Sequence, residues 1–202
     1  MTKPPNPELV KAIKGAAIEL LLEKGEKGVT IREIAEMVGV TATTIYYYFD
    51  NKAELMRKVS MMVFDDYNRY VDANLKGDTP PERLTSLREA IFQYAIEHPT
   101  IFDLLFSRKY VTPGGAVLDE EAAQSYYHTY YLAIKTIEEG VEQGYFECDD
   151  PHIVASASIS YIYGLFELYI SKRIPPPYTN EPYKLASFFG DLIKERIYKK
   201  EK

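Results

Sequence analysis

TIREIAEMVGVTATTIYYYFDNK, residues 30–52, packs two helix starts and one helix stop into a short run. Thr30 is placed to cap a helix over Ile31–Val38, and Glu33 three residues on closes a capping box. Gly39 stands where that helix must end in the left-handed region, which a residue without Cβ enters most easily. Thr41 then offers a second cap, and Val40 before it and Ile45 after it are spaced as a hydrophobic staple. Ile34, Val38, Val40, Ile45 and Phe49 supply the inner faces, and Ala35 is small where two helices must cross. The pattern predicts a helix-turn-helix.

The second helix, Thr41–Tyr48, carries the functional signal. If Ile45 and Phe49 point inward at i, i+4, then Thr43, Tyr46 and Tyr47 face outward, with Thr44 and Tyr48 on the flanks. An outer face of hydroxyls and phenols without charge suits a helix that bonds phosphates and touches base edges and thymine methyls. The stretch resembles the DNA-binding domain of TetR-family transcriptional regulators: Thr30, Ile34, Ala35, Gly39, Val40, Thr41, Tyr46, Tyr48, Phe49, Lys52 and Leu55 match that pattern in order and spacing. The candidate DNA contacts are Thr30, Thr41, Ala42, Thr43, Thr44, Tyr46, Tyr47, Tyr48 and Lys52. Lys52 opposes the dipole of the helix it opens, a cost that a nearby phosphate would offset. Ala42 departs from the family's frequent Lys or Pro, and Thr43 from its frequent Gly; both bear on base preference. The alternative is a helix pair that serves only as scaffold.

The chain has 202 residues, 46% of them hydrophobic, enough to bury a sizeable core in one or two domains. The start, MTKPPNPELVK, lacks the apolar core of a signal peptide, and no run of 18 apolar residues occurs, so a cytoplasmic protein without a membrane partner is expected. A single cysteine, Cys148, excludes an internal disulfide and a cysteine zinc site. Net charge is −6, unevenly spread: residues 1–58 hold nine Lys and Arg against eight Asp and Glu, while the remainder holds 15 against 22. The reading head is therefore nearly neutral. Its attraction to DNA must come from a few placed cations and helix N-termini, which predicts modest non-specific affinity.

The expected fold is all-α. Asn6 and Pro7 open a first helix reaching about Glu23, with Gly25 and Gly28 beyond it, and Lys3 and Lys11 are possible phosphate contacts. Asn51 and Glu54 open a long helix to about Leu75, which in the resemblance is the lever between reading head and effector site. Further helices are read from a Thr79–Glu82 cap to His98, over Pro99–Tyr110, 119–143 and Pro151–Lys172, and from about Asn180 to Lys199; Gly114 and Gly115 lie in a loop. The domains expected are 1–52, a helix-turn-helix head, and 53–202, a helical effector-binding and dimerisation bundle.

ISYIYGLFELYI in the penultimate helix is apolar nearly all round, so one side needs a surface beyond its own core. A homodimer supplies one, and the resemblance implies a four-helix interface from the last two helices; Ile159, Tyr161, Gly164, Leu168, Phe188, Phe189 and Leu192 are its candidates. Two such heads call for a partly palindromic operator in double-stranded DNA.

No nucleophile elbow, phosphate loop, dinucleotide fingerprint or metal spacing among His98, His128 and His152 points to catalysis, a cofactor or a metal. The unusual number of tyrosines favours a polar-edged pocket over plain core, because each buried phenol needs a partner. Phe64, Tyr67, Tyr94, Phe102, Phe106, Tyr127, Tyr130, Tyr131, Tyr163 and Phe166 are the candidate effector-pocket residues, with Phe92, Tyr126 and Tyr169 in the same aromatic set. Glu167, the one charge in its apolar run, is open to three roles: countering a cationic effector, pairing across the dimer, or reaching solvent. The function expected is a homodimeric repressor released from its operator by a small, largely apolar or aromatic effector. The alternatives are a helical small-molecule binder without DNA activity and, more distantly, an all-helical enzyme.

Overall fold

A computed structural model of the chain describes residues 6–106 and 120–197, which form nine α-helices and no β-strand. Lys3, Tyr110, the loop around Gly114 and Gly115, and everything past Ile197 lie outside the described residues. Two compact units divide the chain. One gathers the described residues up to Asp65 with Asp103–Phe106 and residues 120–122; the other gathers Asp66–Phe102 with residues 123–197. The division falls inside the fourth helix, whereas the boundary read from the sequence falls at its start.

In the first unit, α1 (Pro7–Gly28) is capped by the Asn6 side chain, which accepts from the Glu8 and Leu9 amides at 3.1 and 3.4 Å. Ile13, Ala17, Leu20 and Leu21 bury one stripe of it. At Gly25 the backbone turns to φ 69°, which breaks the helical path three residues before the end. α1 packs on α2 (Ile31–Val38), α2 on α3 (Ala42–Tyr48), and α4 (Lys52–Asn74) adds Leu55, Val59 and Val63 to the core. Each of these aliphatic side chains contributes about 1.5–3 kcal/mol by leaving water.

The second unit holds the rest of α4, α5 (Pro80–Glu97), the start of α6 (Pro99–Phe106), most of α7 (Glu120–Glu142), α8 (Pro151–Ile170) and α9 (Pro182–Ile197). The Glu82 carboxylate takes the Asp78 and Thr79 amides and the Thr79 hydroxyl at the head of α5. Asp150 accepts from His152 and Ile153 at the head of α8. An Arg83–Glu139 ion pair joins α5 to α7, and the Asn68 amide donates to the Ser125 carbonyl at 2.8 Å, joining α4 to α7. Tyr161 lies flat on Phe189, 3.8 Å between ring centres, and donates to the Leu185 carbonyl, which fixes α8 on α9. Gly140 is required by packing: a Cβ there would stand 2.1 Å from the buried Phe146 ring. α8 is long and apolar enough to cross a membrane by length and composition, but here it packs on α5 and α9.

Candidate nucleic-acid interface

The helix-turn-helix forms as its caps dictate. The Thr30 hydroxyl accepts the Glu33 amide at 3.2 Å, and the Glu33 carboxylate takes the Thr30 amide and hydroxyl at 3.1 and 2.7 Å. Lys24 reaches the same carboxylate at 2.9 Å, so α1 is bonded to the start of α2. Gly39 sits at φ 75°, and the Val40 amide returns to the Ala35 carbonyl at 2.9 Å while the Gly39 amide bonds Glu36, a Schellman ending. Thr41 caps α3 by accepting the Thr44 amide at 3.2 Å, and the two threonine hydroxyls share a 2.9 Å bond.

The hydrogen bond from Lys24, followed by that from Thr30, holds the Glu33 carboxyl below its ordinary range. A depressed carboxylate stabilises the folded head fully above the unfolded value, and that contribution fades as the pH falls through the folded one. Replacing Thr30 with Ala is expected to lower stability by about 1 kcal/mol at neutral pH. The gap to wild type should narrow in acid below the ordinary carboxylate range, measured by urea unfolding across pH.

α3 turns Ile45 and Phe49 inward, 0% and 4% exposed, and its outer face is as the spacing predicts. Tyr46 and Tyr47 are each 52% exposed, Thr43 is exposed, and Ala42, Thr44 and Tyr48 are half-buried on the flanks. Tyr48 meets Tyr47 edge to face, ring centres 5.1 Å apart, which limits the directions the Tyr47 phenol can take. Thr30 and Thr41 lie exposed at the two helix starts, with their hydroxyls engaged in the caps described.

Lys52 opens α4 as the sequence argument has it, and it also has a partner within the chain. Its ammonium donates to the Glu26 carbonyl at the end of α1, 2.9 Å away, and this carbonyl offsets the unfavourable dipole without a phosphate. Asn51 accepts the Glu54 amide at 2.9 Å, while the Glu54 carboxylate reaches past Asn51 to the Asp50 amide. The cation that sequence reasoning missed is Arg32, exposed in the first turn of α2 and without an ion-pair partner among the described residues. The dipole argument applied to Lys52 applies equally to Arg32, and would have found it.

Among the described residues the aromatic candidates divide between buried and exposed positions. In the first unit Phe64 meets Phe106 edge to face at 6.0 Å. In the second, Tyr67 contacts Tyr94 and Phe102, and Phe102 contacts Tyr163 and Phe166, at 4.5–6.2 Å between ring centres. Burial holds the Tyr67 and Tyr163 phenols well above the usual value and Tyr94 at about 12. Tyr127 and Tyr131 are exposed, and the Tyr130 hydroxyl bonds His152 Nδ1 at 3.1 Å. Glu167 is exposed beside Arg173 at 3.7 Å. Two cavities of this unit lie along other residues. One of about 60 Å³ is lined by Leu84, Ile91, Ile137, Ile159, Phe189 and neighbours; another of about 340 Å³ lies along α5 and α9. Among the described residues no group of three or more His, Cys, Asp or Glu is placed to hold a metal ion.

Of the dimer candidates, Tyr161 and Phe189 are occupied with each other, and Ile159 lines the smaller cavity. Gly164, Leu168, Phe188 and Leu192 are exposed, and Phe188 shows 60% of its surface.

Comparison with known proteins finds a match to the model of the tetR family of bacterial regulatory proteins over residues 13–59, which spans α2, α3 and parts of α1 and α4. The chain is 30% identical over 159 residues to YdeS of Bacillus subtilis, an HTH-type transcriptional regulator, covering 76% of this chain and 74% of that one. It is 30% identical over 81 residues to IcaR of Staphylococcus epidermidis, a negative regulator of a biofilm operon; that match covers 40% of this chain and 42% of IcaR. A crystal structure of a tetR-family regulator from Shewanella sp. PV-4 superposes with a TM-score of 0.72 at 16% identity, covering 95% of this chain and 99% of that one.

Proposed function

The chain belongs to the TetR family of bacterial regulatory proteins, and from that membership we propose that it is a homodimeric transcriptional repressor released from a partly palindromic operator by a small, largely apolar or aromatic effector. DNA-binding regulation of transcription is the family's work. One observation carries the reading for this chain: the exposed, uncharged face of Thr43, Tyr46 and Tyr47 on a helix anchored by Ile45 and Phe49. Such a face offers hydroxyl donors and acceptors to phosphates and base edges at little desolvation cost. Thr30, Thr41, Ala42, Thr44 and Tyr48 flank it, and Lys52 and Arg32 supply cations at its border. Repression rather than activation is supported by the negative action that gives IcaR its description.

Residues 1–52 act as the DNA-binding domain and 53–202 as the effector and dimerisation domain, working in the cytoplasm where bacterial DNA is found. The exposed apolar residues of α8 and α9 support the dimer. Effector binding shifts α4, which runs on from the head, and so changes the spacing of the two recognition helices. Selection of bound sequences from a random duplex pool, at a stated moderate salt concentration, tests the reading. A partial palindrome is the expected result. Recovery of no shared sequence from a folded dimer overturns the regulator in favour of a ligand-binding protein without DNA activity.

A further inference from the structure

We propose that the seam between α5 and α9 is a binding site for a small organic carboxylate, gripped by the Arg88 guanidinium. The site deepens the ligand-controlled reading above, and names the chemistry of the effector.

The cavity of about 340 Å³ on this seam is lined by Tyr70 and Asn74 of α4, Lys76, Arg88 and Gln93, and Tyr183 of α9, among others. That volume lies in the range of small-molecule sites. Most of its polar groups satisfy one another. The Tyr70 hydroxyl donates to Glu97 at 2.7 Å, the Gln93 amide donates to the same carboxylate at 2.6 Å, and the Tyr183 hydroxyl donates to the Gln93 carbonyl oxygen at 2.5 Å. The Asn74 amide donates to the Tyr70 carbonyl, and the Ser86 hydroxyl to the Lys76 carbonyl.

Two cations are left over. Among the described residues neither the Arg88 guanidinium nor the Lys76 ammonium has an acceptor, and Arg88 is half-buried. One carboxylate, the exposed Glu89, also lines the groove without pairing to either. A guanidinium does not shed its charge, so holding it partly out of water without an acceptor carries a standing cost that a bound anion relieves. Its planar fork matches a carboxylate with two parallel bonds, where an ammonium offers only a point charge.

The backbone opposite is shaped for this head group. A Cβ at Gly190 of α9 would lie 1.9 Å from Arg88 Nη1 and 2.2 Å from Cζ. Glycine inside a helix sacrifices about 1 kcal/mol relative to alanine, and at this position it is what lets the guanidinium lie across α9. Arg88 also borders the apolar cavity of about 60 Å³, and Phe92 and Tyr183 wall the groove. The rings of Phe92 and Tyr183 suit an apolar or aromatic portion of the ligand beside its carboxylate, while the rest of the lining is polar. Because Tyr70 and Asn74 belong to α4, an occupant touches the helix that begins at Lys52.

The test is calorimetric titration of the full chain with benzoate, phenylacetate and hexanoate, each beside its neutral amide, and with inorganic phosphate. At least one carboxylate should bind while its amide does not. Arg88→Met should weaken that binding by about tenfold or more, the loss of a charge-assisted pair. Gly190→Ala should weaken it comparably with no loss of thermal stability, because the new methyl meets the free end of a flexible side chain. Equal binding of amides, unchanged binding by both variants, or no binding of any carboxylate overturns the site. Binding of phosphate alone overturns the organic class. Operator selection on the same wild-type preparation keeps the two readings apart: carboxylate binding without a selected operator sinks the regulator and leaves the site standing.

Discussion

Replacing Tyr47 with Ala lowers operator affinity by about 30- to 1000-fold while the fold is retained. The phenol is 52% exposed and its ring meets the edge of Tyr48, itself on the flank of the same helix, so truncation removes little packing. On DNA, each lost hydrogen bond and its stacking surface costs about 1–2 kcal/mol, and the dimer loses two copies at once. Tyr47→Phe separates the hydroxyl from the ring: it retains the stacking part and loses the bond. Electrophoretic or fluorescence titration at fixed salt measures both, with thermal unfolding as the control. Unchanged affinity of the alanine variant would remove Tyr47 from the reading face and with it the assignment of that face. The salt dependence adds an independent check. With residues 1–58 carrying only one net positive charge, few phosphates are neutralised, and the slope of affinity against salt should be shallow.

The head was legible in the sequence because its geometry is local. Thr30, Glu33, Gly39 and Thr41 act on neighbours within a few residues, and each forms the cap or turn its spacing predicts. The partner of Lys52 within the chain was hidden for the opposite reason. That partner, the Glu26 carbonyl, lies 26 positions back in the chain, just past the non-helical Gly25 of α1. The aromatic set shows a second limit. Helical spacing places Tyr67, Tyr94, Phe102, Tyr163 and Phe166 on inward faces, but spacing does not distinguish rings that line a space from rings that fill it. The larger cavity lies where α5 meets α9, and Arg88 reads in sequence as one more solvated charge on an amphipathic helix. Gly190 was the available signal, a helix-interior glycine beside large apolar residues. Within the chain a Cβ at Gly190 would strike Arg88, while one at Gly164 would meet nothing within 4 Å, so the close approach read for Gly164 belongs to the proposed partner helix.

Phe188→Asp should turn the proposed dimer into a monomer and lower operator binding by a further large factor. Phe188 is 60% exposed, Leu192 one turn on is 46% exposed, and Leu168 on the adjoining α8 is 40% exposed. On α8 the exposed positions Ser156, Ala157, Ser160 and Gly164 are small and uncharged, which permits a partner helix to approach closely. Seating Phe188 and its symmetry mate in such an interface contributes about 3–6 kcal/mol in total. Substituting aspartate forfeits that and buries a charge from each protomer in an apolar interface, so the proposed dimer should dissociate at micromolar protein. The isolated chain keeps its fold because the mutated side chain already faces water. A monomer then brings one recognition helix where the dimer brings two, and the lost linkage costs about 100- to 10,000-fold on a palindrome. A half-site duplex discriminates the cause: the variant should bind it as the wild-type head does. Sedimentation velocity and operator titration on the same samples decide the matter. An aspartate variant that sediments as a dimer would place the interface elsewhere on the chain. A monomer that still grips the full palindrome would show that pairing of the two heads is not what confers affinity.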